Sequence, residues 1–109
     1  MGTVAQHLAK HLLFNFEKRL ETFQQIKAPE VLIRQLQENI DIIESQPAID
    51  AVESLVTCKN PEILTAEFIS SETHTGNGGK KYYTYQTSVG EVNYFPQAKF
   101  GRFVTYKQK

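Results

Sequence analysis

The chain has 109 residues, 40% hydrophobic and 22% charged, which excludes a disordered tail and fits one domain with a modest core. Twelve Lys and Arg balance twelve Asp and Glu, which argues against a strongly basic binder of long polyanions. Cys58 is the single cysteine, so no intrachain disulfide forms and a reducing, cytoplasmic setting is expected.

The opening stretch "MGTVAQHLAKHLLFNFEKRL" is interrupted by Gln6, His7, Lys10 and His11, so it does not read as a signal peptide. Gln6 also occupies the position where a myristoylation signal wants Ser or Thr. No apolar run approaches the roughly 20 residues that a membrane span needs, so no membrane partner is expected.

In chain order, residues 4–26 predict a helix. Val4, Leu8, Leu12, Phe16, Leu20 and Phe23 recur at steps of four and three, and Thr3 is the expected N-cap. Pro29 and Glu30 suit the start of a second helix, which runs to about Ser45 on Leu32, Leu36, Ile40 and Ile43. Ser45 or Gln46 is the expected cap of a third helix that opens at Pro47 and runs to about Thr57. From there the pattern alternates. "EILTAEFIS" predicts a strand and "SETHTGNGG" a long polar loop. "KKYYTYQTS", "EVNYF" and "AKFGRFVTYK" predict three more strands, turned by Gly90 and by "PQ".

The expected fold is therefore α+β: a single domain, residues 1–109, with an antiparallel helical hairpin and short third helix in 1–57 and a small four-stranded antiparallel sheet in 62–107. The helices' apolar stripes are wider than one sheet face requires. That surplus predicts a homo-oligomer, most simply a two-fold dimer.

Charge is polarised. Residues 1–58 hold five Lys/Arg against eight Asp/Glu, and residues 59–109 hold seven against four. The basic half also carries Tyr82, Tyr83, Tyr85, Tyr94, Phe95, Phe100, Phe103 and Tyr106. Alternation puts Lys81, Tyr83 and Tyr85 on one face and Tyr82 on the other. Tyr94 opposes Asn93 and Phe95; Arg102 and Tyr106 oppose Lys99 and Phe103. Large rings thus fall on both faces, one to pack on the helices and one free for a ligand or a subunit.

Rings that stack and cations that neutralise phosphates point to a planar anion, a nucleotide-like small molecule or single-stranded nucleic acid. The candidate ligand residues are Arg102, Phe103, Tyr85, Asn93, Lys81, Tyr83, Lys99 and Tyr106. Arg102 supplies a fork for phosphate, and Asn93 an amide for a base edge. The rival expectation is a protein-interaction module or inhibitor whose aromatic face is a subunit interface and whose helices dock on a partner.

Other motifs carry less. "THTGNGGKKY" fails the Walker pattern, since Lys81 follows Gly79–Lys80 and a strand comes next. An anion nest around Gly76, Gly78 and Gly79 remains open. His7 and His11 have helical metal-sharing spacing without the glutamate of H-E-x-x-H, so they read as polar-face residues and no metal or other cofactor is expected. Cys58 reads as an inert thiol. Glu67 reads as a cross-strand partner of Lys81, and Glu72 with His74 as an acid–base pair lacking a nucleophile. No catalytic constellation emerges.

Overall fold

Thr3 opens the longest helix through a capping box. Its hydroxyl accepts from the Gln6 N–H at 3.2 Å, and the Gln6 side chain accepts from the Thr3 N–H at 2.9 Å. Two N–H groups that helix geometry leaves without partners are thereby satisfied. The computed structural model, which describes residues 2–98 and 101–108, runs this helix, α1, over Val4–Gln25. It is followed by α2 (Glu30–Ser45) and α3 (Ala48–Leu55). Pro29 and Pro47 occupy the N-cap positions of α2 and α3, with no side-chain cap bond. Ser45 bonds back to the Asp41 carbonyl instead of capping α3.

The remainder is α+β as expected, with a different sheet. Five strands, β1 (Thr57–Cys58), β2 (Phe68–Thr75), β3 (Lys81–Thr87), β4 (Gly90–Ala98) and β5 (Gly101–Gln108), lie in the order β1-β5-β4-β3-β2. β2 to β5 form an antiparallel meander, and β1 pairs with β5 in parallel. The sheet is mixed and five-stranded, which corrects the four-stranded antiparallel expectation. Two residues are too few to leave a period in the sequence, and their partners, Phe103 and Val104, are far along the chain.

Three boundaries also move. Pro61–Thr65 is a 3₁₀ turn rather than the start of a strand. Its adjacent Ile63 and Leu64 are both buried, which strand alternation on one core face does not allow. The expected polar loop is mostly β2, an edge strand exposed along nearly all its length. The "PQ" turn is absent: Pro96 and Gln97 lie inside β4, where the β4–β5 register shifts between Phe95 and Ala98. Such an irregularity tolerates a residue without an N–H.

The segment before α1 ties the two halves together. Val4 N–H donates to the Ala66 carbonyl at 2.9 Å and Phe68 N–H to that of Gly2 at 3.0 Å. Glu67 bridges Thr3, and its N–H donates to the Ser88 hydroxyl at 3.1 Å. Lys81 pairs with Thr75, so the expected Glu67–Lys81 partnership does not form.

The core lies between α1 and one face of the sheet. Leu8, Leu12 and Phe16 pack with Tyr85, Val92, Tyr94 and Val104, and Val52, Ile63 and Leu64 complete the cluster. This is the inner face of the sheet. The pairing register puts Tyr83, Tyr94 and Val104 in one inner row and Tyr85, Val92 and Tyr106 in the next. The alternation read from the sequence holds in β3, β4 and β5.

Candidate anion site between helix and sheet

α1 lies along the inner face, and its contacts change along its length. Near its start His7 stacks on Phe68 with ring centres 3.6 Å apart. One turn later His11 packs against Tyr83, ring centres 3.9 Å apart and planes tilted by 57°, and shares a 2.8 Å hydrogen bond between Nδ1 and the Tyr85 hydroxyl. Both histidines face the sheet, which corrects their reading as polar-face residues. Burial holds both imidazoles below their ordinary pKa, with Lys10 adding to the effect at His7. Among the described residues no cluster of three His, Cys, Asp or Glu side chains gathers to hold a metal.

Further along, Phe16 lies under the Arg102 guanidinium, 4.8 Å from its ring centre. Beyond that point the last turns of α1 roof a groove of about 550 Å³ over the strand ends. Asn15, Lys18, Arg19, Thr22 and Phe23 line it from above. Lys81 and Tyr83 at the start of β3, Tyr94 and Pro96 in β4, and Arg102 at the start of β5 line it from below. Gly79, in the β2–β3 turn, completes the rim; Gly78 and Gly79 there have φ of +77° and +76°. Left-handed backbone at two successive residues suits glycine. Two N–H groups of the expected nest are already committed, Gly76 to the Lys80 carbonyl at 2.7 Å and Gly79 to that of Gly76 at 3.2 Å.

The lining contains Lys18, Arg19, Lys81 and Arg102 and, among the described residues, no carboxylate. Arg102 is half-buried. Its Nε donates to the Leu55 carbonyl at 3.1 Å, which fixes the side chain between α3 and Phe16. Burial lowers the Arg102 pKa, Tyr94 opposes that and the like charge of Arg19 reinforces it. Tyr94 is fully buried at the floor, and burial raises its pKa well above the ordinary phenol value. Its hydroxyl has no hydrogen-bond partner among the described residues.

The expected ligand residues separate. Arg102, Lys81 and Tyr83 meet in the groove. Tyr85 is buried against His11, and Tyr106, two positions further along β5 than Val104, donates to the Val89 carbonyl at 2.9 Å. Phe103 and Asn93 lie on the outer face, where Asn93 accepts from the Thr84 hydroxyl at 2.6 Å. Lys99, like Phe100, lies outside the described residues. Lys18, Arg19, Phe23 and Tyr94 were not among the expected ligand residues. For the three on α1 the signal was a row, Asn15, Arg19 and Thr22, bordering the apolar Phe16 and Phe23 at helical spacing; Tyr94, in β4, has no such signal.

The outer face carries a different arrangement. His74, Tyr82, Phe95 and Phe103, one from each strand of the meander, stack in sequence at 5.1, 5.1 and 4.8 Å with planes within 25° of parallel. Stacked at strand spacing, each interior ring turns both faces toward its neighbours and only an edge toward solvent. A base needs an exposed ring face, so the middle of this ladder is no stacking platform. His74 at its end sits 3.4 Å from Glu72. Cys58, in β1, is partly buried, and burial pushes its thiol up, away from the thiolate.

The chain matches no protein-family model, no curated protein and no solved structure. No described helix is long and apolar enough to cross a membrane.

Proposed function

We propose that this protein is a non-catalytic binder of a small, nucleotide-like anion, held in the groove between α1 and the strand ends, in the manner of a sequestering or regulatory protein. The observation that carries the reading is the lining itself: four cations, four aromatic rings and no carboxylate around about 550 Å³. Like charges gathered without a counter-charge destabilise the empty site, and an anion relieves them. The volume suits a ligand of mononucleotide size. Tyr83 and Phe23 supply ring surface beside the cations. The lining offers no carboxylate, cysteine or histidine as a general base, which favours binding over turnover.

Self-association belongs to the same reading. Phe14, Ile26, Val31 and Leu32 expose between 46% and 69% of their surface on and beside the first two helices. α2 buries only Leu36 and Asn39. A second copy covering this surface gives the homo-dimer that the wide stripes predict. The same under-buried helix favours a second reading, an interaction module whose helices dock on another protein.

Native mass spectrometry of the protein purified from cells, against its denatured mass, separates the two. The chain has no Trp, so a co-purified nucleotide is also visible near 260 nm. The binding reading expects an oligomer carrying a releasable mass, with Arg19→Ala abolishing the passenger and leaving the oligomer intact. A mass belonging to a second protein, with no small passenger, favours the docking reading.

A further inference from the structure

The sheet has a long open edge. β2 is its last strand, and the segment before α1 closes only the near end of it, where Phe68 N–H donates to the Gly2 carbonyl. Past that point, among the described residues, nothing pairs with the outer side of β2 from Ile69 to Thr75. Sheets guard such an edge with Lys, Pro or a very short strand. The stretch ISSETHT has no Lys, Arg or Pro and is exposed at every residue but His74.

Backbone alternation says which groups face outward. Gly76 N–H donates to the Lys80 carbonyl at 2.7 Å across the β2–β3 turn. Counted back by twos along the register, His74, Glu72 and Ser70 spend their backbone groups on β3. Ser71, Thr73 and Thr75 therefore turn N–H and C=O toward the open side. Glu72 and His74 share the outer face, opposite Thr84 and Tyr82, and lie 3.4 Å apart.

We propose that this edge pairs antiparallel with β2 of a second copy, about a two-fold axis beside Thr73, so that two sheets become one with five strands from each copy. Outward groups must meet outward groups, so the axis passes beside a residue and not between two. Centred on Ser71, the pairing runs His74 into the Phe68 edge that Gly2 of the other copy already holds. Centred on Glu72, it sets carboxylate against carboxylate, which is unfavourable. Centred on His74 or beyond, it shortens to Thr73–Thr75 or less. Centred on Thr73, it runs from Ser71 to Thr75 and sets Glu72 of each copy opposite His74 of the other. An imidazole N–H then meets a carboxylate at two symmetric places. The axis stands normal to the sheet and keeps both helical layers on one side. The contact is thus distinct from the exposed helical surface above and does not depend on the anion site. A chain that uses both contacts forms an assembly larger than a dimer.

The test is sedimentation equilibrium over a range of micromolar concentrations, on the wild type, Thr73→Pro, His74→Glu, His74→Glu combined with Glu72→Lys, and Leu32→Glu. The wild type is expected to self-associate and Thr73→Pro to halve the mass of the assembly. Proline is tolerated where an N–H faces solvent, so the far-UV circular dichroism should be unchanged while the central intersubunit bonds are lost. His74→Glu should weaken association about tenfold, because carboxylates then face each other at both places. Adding Glu72→Lys restores opposite charges across the axis and should restore association. A monomeric wild type, an assembly whose mass Thr73→Pro leaves unchanged, or no rescue by the added Glu72→Lys overturns the proposal. An assembly that Leu32→Glu dissociates and Thr73→Pro does not belongs to the helices and overturns it equally. Should Thr73→Pro fail to fold, loss in His74→Glu and rescue in the double variant decide.

Discussion

On the inner face of the sheet Tyr83, Tyr85 and Tyr94 lie under α1 among His11, Lys81 and Arg102. On the outer face Tyr82, Phe95 and Phe103 stack with one another and with His74. The same residue types, on the same strands one position apart, do different work. Inner rings carry polar atoms that must be answered, by His11 for Tyr85 and by no described residue for Tyr94. Outer rings answer each other with their faces. The comparison teaches that an aromatic count does not locate a site. What distinguishes the inner face is uncompensated polarity at the place where the helix roofs the strand ends.

The largest expected contrast is in stability. Leu8→Ala on the inner side removes a fully buried side chain and should cost about 3 kcal/mol in urea unfolding. Phe95→Ala in the outer ladder, where the ring is partly exposed, should cost about 2 kcal/mol. Equal losses would mean that the outer face is also a core, as a subunit interface would make it.

Charge reversal sharpens the same comparison for binding. Arg19→Glu in the groove should weaken adenosine 5′-monophosphate about a hundredfold, or about 2.7 kcal/mol. Lys107→Glu, exposed beside Glu91 on the outer face, should change it by less than about twofold. Arg19 is the better probe than Arg102 because it anchors no backbone group, whereas Arg102 holds the Leu55 carbonyl.

A double-mutant cycle on Tyr82 and Phe95 tests whether the ladder is a physical unit. The coupling should be about 0.5–1.5 kcal/mol. A value near zero would reduce the ladder to side-by-side packing.

The smallest effect is in pH. His11 has its pKa lowered from 6.5 by burial, so the unfolded chain takes up protons first as pH falls. Its contribution is fully present above about 6.5 and is lost as pH falls through that value toward the lower folded pKa. The thermal midpoint should drop over this interval, and His11→Gln should flatten the drop. His7, lowered mainly by burial and then by Lys10, adds in the same direction.

Much of this is legible in the sequence. Pro29 and Pro47 punctuate the helices, Thr3 announces the cap, and alternation set Lys81 and Tyr83 on one face of their strand and Arg102 with Tyr106 on one face of theirs; the pairing register joins those faces. What was not legible had physical reasons. β1 is too short to have a period. β2 is an edge strand wetted on both sides, so its Ser, Thr, Glu and His read as a loop. Ile63 and Leu64 are buried side by side in a 3₁₀ turn that mimics a strand start. The site needed a tertiary fact, that Lys18 and Arg19 of α1 meet the first residues of β3 and β5. Helical spacing places them on α1 but does not say what they face.

The most direct test of the two-face account is an amide-resolved NMR titration with adenosine 5′-monophosphate. The account predicts shifts confined to Asn15, Lys18, Arg19, Thr22, Lys81, Tyr83 and Arg102, with Glu72, Thr84, Asn93 and Thr105 on the outer face unmoved. Shifts centred on Tyr82, Asn93, Phe95 and Phe103, with the groove silent, would contradict it and return the ligand to the outer rings.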